Sequence, residues 1–271
     1  MSNQTKIAAR RAFARATGVV ALYPCFQSVA EGTNLIDRSG AGNGAAFGAN
    51  LSAANAWANA NRLTTADNVS GTVAGSPYLA GASLNWALAT ESLLVSGIVN
   101  IAAAPAATRH ILGNGSSTSV RGFTVRYAVT TGLASIIAHG ASSLFGTAGT
   151  NIATGADIHI AMAIDAPNQR AYLFVNGAFD ATANGVASYV AGTGGLSYAA
   201  EAANMTAACL ANPFMLSGQA HTGTISLTPT AQSYGWQVAK RTGALPSNLE
   251  NVVKRLARHP LQMLSSTEWP A

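Results

Sequence analysis

The chain has 271 residues, of which 49% are hydrophobic and only 9% charged, with 27 glycines and a net charge of +5. Globular chains usually carry about 25% charged residues, so this deficit excludes a coiled coil or charged disorder and argues against a carboxylate-rich enzyme. The length suits one large sandwich or barrel, and so many turn residues with so few charged helix formers lean toward β structure.

The basic charge sits at the two ends. Residues 1–30 hold four basic groups and no acidic one, residues 31–235 hold six against eight, and residues 236–271 hold five against two. A nucleic-acid reader is expected to carry a basic stripe across its folded face, and the nearly neutral middle has none. No apolar run is long enough for a bilayer.

Residues 3–17 read as a short basic helix with Lys6, Arg10, Arg11 and Arg15, and with Ile7 and Phe13 as its only large apolar residues. Such a helix is marginal alone and must dock or fray. The apolar run Val19 to Phe26 is the first strand candidate. It is short, contains Pro24 and lacks a cleavage site, so no signal peptide is expected. The division is therefore a basic extension, 1–18, and one domain, 19–271. Residues 38–61 read as loop, with room for a short helix near Ala53–Ala60.

The strand signals then sharpen. Leu93 to Ile101 is an apolar run of strand length. Phe123, Val125, Tyr127 and Val129 alternate with Thr124, Arg126 and Ala128, and Ile158, Ile160, Met162 and Ile164 alternate with His159, Ala161 and Ala163. Period-two alternation is the mark of a strand. A turn at Asp165–Arg170 leads into Ala171–Val175, closed by Asn176-Gly177, a pair that tolerates the positive φ of a tight hairpin. Ile225-Ser226-Leu227 and Tyr234–Val238 read as later strands. Ser247 and Glu250 have the spacing of a capping box. Leu249, Val252, Val253 and Leu256 then fall on one helical face, and Pro260 ends the helix.

Several of these segments, in this order, resemble laminin G-like, concanavalin A-like domains. Leu35-Ile36-Asp37-Arg38-Ser39-Gly40 is similar to the family's early "D-x-SG" turn. The His159 strand, its turn and Tyr172-Leu173-Phe174-Val175-Asn176-Gly177 resemble its central hairpin. Ser92–Asn100 and Asn212–Gly218 resemble two further strands. Gly235–Pro246 resembles the closing strand, and Arg258-His259-Pro260-Leu261-Gln262 resembles the ending of such domains in tailed bacteriophages. The resemblance covers about residues 19–264. It implies an all-β fold, a two-sheet antiparallel jelly-roll sandwich with a short N-terminal and a C-terminal helix. It also implies a structural rather than catalytic His159.

Glycosidases on this fold need paired carboxylates within about 10 Å. The family's E-x-D-x-x-E cluster is missing, and the ten acidic residues are isolated in sequence. Asp157 and Asp165 bracket one strand and stand about 26 Å apart if it is extended. The histidines are scattered, with no metal-ligand spacing. Relatives of the fold bind calcium at the sandwich rim, which makes Asp165 and Asp180 the candidate ligands; no cofactor is expected. Cys25 and Cys209 are expected as buried thiols, with pairing left open.

These readings point to a non-catalytic virion protein of a tailed phage, on tail, fibre or capsid surface. Its basic residues Lys6, Arg10, Arg11 and Arg15, with Phe13, would anchor it to other virion proteins or in a homo-oligomer. The alternatives are a carbohydrate-binding adhesin outside a virion, and a glycoside hydrolase or lyase. Trp57, Trp86 and Tyr198 are the candidates for stacking on sugar rings. Neither a specific nucleic acid nor membrane insertion is expected.

Overall fold

The computed structural model describes residues 18–25, 34–47, 62–66, 77–78, 91–101, 109–113, 122–127, 133–139, 143–152, 154–165, 167–168, 170–184 and 229–270. In chain order the strands are β1 (Val19–Tyr23), β2 (Asn34–Leu35), β3 (Ala45–Phe47), β4 (Leu63–Ala66), β5 (Pro77–Tyr78), β6 (Glu91–Ile101) and β7 (Arg109–Gly113). They continue as β8 (Gly122–Tyr127), β9 (Leu133–His139), β10 (Ser143–Asn151), β11 (Asp157–Asp165), β12 (Arg170–Val175), β13 (Ala178–Asn184) and β14 (Pro229–Thr242). One helix, α1 (Leu249–Arg258), follows. No described helix is long and apolar enough to cross a membrane.

All the pairings between described strands are antiparallel. The largest sheet has seven strands and runs β1-β14-β6-β11-β12-β13, with β4 also on β14. Strand β14 is long enough to pair with β6 on one side while β1 and β4 share its other side, β1 against 236–239 and β4 against 229–233. A second sheet, β10-β9-β8-β7, touches β12 and β13, and a small third sheet joins β2, β3 and β5. Among the described residues this is an antiparallel β-sandwich fold with one helix.

The large sheet is covered on both faces. In β6 every residue from Ser92 to Val99 is buried, and in β11 every residue from Ile158 to Asp165. Burial on both sides explains why β6 reads as a nearly continuous apolar run, and it places the small or polar partners of the β11 alternation, His159, Ala161 and Ala163, inside as well. On one face Val19, Ala239, Leu94, Ala163 and Tyr172 are successive cross-strand partners. Helix α1 packs on this row with Leu249, Val252, Val253 and Leu256. These are the four residues that the periodicity put on one face.

The start of α1 differs from the capping-box expectation. The N-cap is Asn248, with no side-chain cap hydrogen bond. The Leu249 N–H donates instead to the Pro246 carbonyl, 3.1 Å away, so a backbone turn closes the end. Glu250 pairs with Lys254, one turn on.

The chain after α1 folds back over the sheet. Gln237 on β14 donates through Nε2 to the Pro260 and Gln262 carbonyls, at 3.2 and 2.8 Å. Pro260 sits over Gly235, whose positive φ of 67° suits glycine. Trp269 is fully buried and donates from Nε1 to the Lys240 carbonyl at 3.0 Å. The segment around Pro260 that resembles phage domain endings is therefore a docking element.

Two other family-like segments, the Asp37 turn and the Asn176-Gly177 hairpin, are also structural, and Asn212–Gly218 lies outside the described residues. The Asp37 carboxylate accepts from the N–H groups of Leu22, Ser39 and Asn43 and from the Ser39 hydroxyl, at 2.8–2.9 Å. It ties the 37–43 turn to β1. Asn176 and Gly177 have φ of 50° and 78° and make a two-residue hairpin between β12 and β13. Strand β3 lies inside the stretch read as loop. The expected N-terminal helix, the short helix near residues 53–60 and the strand at 225–227 lie outside the described residues.

Candidate functional site

Most of the residues proposed from the sequence lie outside the described residues: Trp57, Trp86, Tyr198, Lys6, Arg10, Arg11, Phe13, Arg15 and Cys209. Cys25 is buried, with its thiol directed at the Tyr23 carbonyl, 3.5 Å away. Asp165 is buried and holds its own turn, accepting from Asn168 N at 3.3 Å and Nδ2 at 3.0 Å. Asp180 accepts from the N–H and hydroxyl of Thr150, both at 3.3 Å, which links β13 to β10. Among the described residues no group of three or more His, Cys, Asp or Glu could hold a metal ion.

The structure assembles a different constellation. Four sequence-distant residues meet on the helix-side face of the large sheet. Asn100 on β6 and Asp157 on β11 are direct register partners. Tyr234 on β14 pairs with Ile98, two residues up the same face. Arg62 directly precedes β4. The Arg62 guanidinium grips both Asp157 oxygens, with Nη2 to Oδ2 at 2.8 Å and Nη1 to Oδ1 closing the fork. Asn100 Nδ2 donates to Asp157 Oδ1 at 3.0 Å and to the Gly155 carbonyl at 3.1 Å. The Tyr234 hydroxyl donates to Asp157 Oδ2 at 3.2 Å, and the guanidinium carbon lies 5.4 Å from the Tyr234 ring centre.

The Arg62 and Asp157 side chains are 25% and 33% exposed, so solvent still reaches the pair. Partial burial works to raise the Asp157 pKa. Hydrogen bonds from Arg62, Asn100 and Tyr234, with the Arg62 charge, outweigh it and hold the carboxyl below its usual range. Burial first, then the Asp157 charge and hydrogen bond, push the Tyr234 phenol up. The row is thus one cation, one anion, an amide and a phenol, locked together at neutral pH.

Deeper along the same face stands His159, only 2% exposed. Its Nε2 lies 2.8 Å from Ser96 Oγ, and its backbone N–H donates to Asn176 Oδ1 at 3.0 Å. Among the described residues its Nδ1 has no hydrogen-bond partner. Burial lowers its pKa to about 4. It is neutral at physiological pH and sits in the core.

Sequence reasoning missed the Arg62, Asn100 and Tyr234 contributions. No local signal links positions 62, 100, 157 and 234, which only strand register brings together.

No protein-family model and no curated protein matches the chain. Solved structures do. The binding domain of botulinum neurotoxin serotype D matches with a TM-score of 0.56 at 11% identity, over 93% of this chain and 52% of that one. The binding domain of botulinum neurotoxin DC in complex with SialylT matches at 0.55 and 9% identity, over 90% and 51%. A Trypanosoma rangeli sialidase in complex with sialic acid matches at 0.52 and 13% identity, over 89% and 32%. This chain spans about half of the toxin domains and about a third of the sialidase. At these identities the likeness establishes a shared β-sandwich fold.

Proposed function

We propose that this chain is a non-catalytic binding module of a tailed-bacteriophage virion, a jelly-roll sandwich on tail, fibre or capsid surface that contacts host glycans. The observation that carries the glycan part is the likeness of nearly the whole chain to toxin binding domains, one of them solved in complex with SialylT. Fold likeness alone is weak ground for function, so the site chemistry has to agree.

The carboxylates agree with binding. Asp37, Asp157, Asp165 and Asp180 hold turns, strands or a guanidinium. Glu91, Glu250 and Glu268 pair with Lys240, Lys254 and Arg255. A glycosidase needs one carboxyl poised as acid and another as base or nucleophile. Each of these seven acids is instead engaged by a neighbour.

The virion part rests on the ordered family-like segments and the phage-like ending. The basic segment with Lys6, Arg10, Arg11, Phe13 and Arg15 would anchor the module to other virion proteins or to further copies of itself. The test is cryo-electron microscopy of the assembled source particle. Density for this chain on tail, fibre or capsid supports the assignment. Absence from the particle overturns it and leaves an adhesin outside a virion.

A further inference from the structure

We propose that the row Arg62–Asn100–Asp157–Tyr234 is a saccharide site that takes adjacent hydroxyls of a neutral sugar. This rests on the glycan-binding reading above and names its site and ligand class.

Asp157 is the positioning residue. Its two oxygens accept four hydrogen bonds, two on each, which fills the lone-pair sites of a carboxylate. What it positions is spare hydrogen-bonding capacity on side chains that solvent reaches. A guanidinium carries five N–H donors in a fixed fork, and Arg62 directs two of them at Asp157. Three remain. Asn100 directs its amide hydrogens at Gly155 and Asp157, which leaves Oδ1 as an acceptor. A sugar hydroxyl both donates and accepts, so neighbouring hydroxyls need donors and an acceptor side by side.

The charge balance selects the class. Arg62 and Asp157 cancel, so a sugar carboxylate would meet a guanidinium already matched and an anion beside it. A neutral diol meets neither penalty. Rigidity adds to the case. The residues come from strands β6, β11 and β14 and from the residue before β4, so little order is lost on binding. The 154–156 turn is pinned by Gly155 N–H donating to the Ile101 carbonyl at 2.8 Å.

The experiment uses the purified full chain on an array of neutral and acidic oligosaccharides, followed by calorimetry with the strongest binder. The expected ligand is neutral, and its affinity is nearly constant between ~50 and ~500 mM NaCl. Asn100→Ala, Arg62→Lys and Asp157→Asn should each weaken it about tenfold or more, with near-ultraviolet circular dichroism unchanged. Should a variant melt early, phenylglyoxal labelling of wild type read by peptide mass mapping replaces it, and the sugar should protect Arg62.

Affinity within twofold of wild type in all three variants, or no protection of Arg62, overturns the site while the glycan reading stands. An acidic ligand whose affinity rises in Asp157→Asn and falls with salt overturns the neutral class. Silence across the whole array overturns the glycan reading itself.

Discussion

The indole of Trp236 lies directly against Gly97, on the face of the large sheet opposite the helix. A Cβ at position 97 would run into Cδ2 and Cε3 of the ring and stand 2.8 Å from Cε2. Trp236 is fully buried, and β14 carries a register shift between Tyr234 and Gln237 at this level. The missing side chain on β6 and the bulge on β14 together make room for the indole. Gly97→Ala is therefore expected to destabilise by about 2–3 kcal/mol or more, because the ring has no space to retreat. Urea denaturation followed by tryptophan fluorescence measures it, and unchanged stability would mean that the indole is not held there.

Trp269 joins the far end of the chain to its near end. Its Nε1 donates to the Lys240 carbonyl, and its ring covers Gly18, whose own carbonyl accepts from Lys240 N at 3.0 Å. Trp269→Phe keeps most of the packing but removes the hydrogen bond to the Lys240 carbonyl, at a cost of about 1–2 kcal/mol. Trp269→Ala also opens a cavity and should cost about 3–5 kcal/mol. The ordering Ala below Phe below wild type in thermal melts checks this. Equal losses would place the ring's contribution in the hydrogen bond alone.

The parts that were legible in the sequence are those where one local pattern decides the outcome. Strands β6 and β12 read as apolar runs and β11 as an alternation of large apolar residues with His and Ala. The Asn176-Gly177 hairpin and the apolar face of α1 each need only a few adjacent residues. Strands β9, β10 and β13 are rich in Ala, Gly, Ser and Thr, so alternation carries little contrast, and β3 has only three residues. The Ser247–Glu250 spacing predicts a capping box, but the Pro246 carbonyl takes the first N–H and Glu250 faces Lys254. The Arg62–Asp157 row depends on the register of four strands, which no local pattern specifies.

The Asp37 turn gives a third prediction. One carboxylate accepts three backbone N–H groups and a hydroxyl, and it joins β1 to the 37–43 segment. Asp37→Asn has nearly the same shape but turns one oxygen into a donor. That group would face either Leu22 and Ser39 N–H or Asn43 N–H with the Ser39 hydroxyl. The expected loss is about 1–3 kcal/mol, with early hydrogen exchange at Leu22 and Asn43. Asp37→Asn with wild-type exchange at those amides would overturn the assignment.

His159 should make stability depend on pH in a defined direction. Its folded pKa is about 4, because burial disfavours the charged ring, against 6.5 for the unfolded chain. Between those values the unfolded state binds the proton more readily, so stability falls as pH is lowered. The His159 contribution is intact above pH ~6.5, declines through the window and is fully lost below pH ~4. Its full size is about 3 kcal/mol, since each tenfold difference in proton affinity between the two states is worth roughly 1.4 kcal/mol. The carboxylates with lowered pKa, Asp157 and Glu268, act in the same direction but at lower pH, so among the described groups with a shifted pKa the slope between pH 6.5 and 5 belongs to His159. His159→Gln should keep a contact with Ser96 while flattening that slope in urea midpoints measured across the range. A slope that survives the substitution would show that another group titrates there and that His159 is not buried neutral in the folded state.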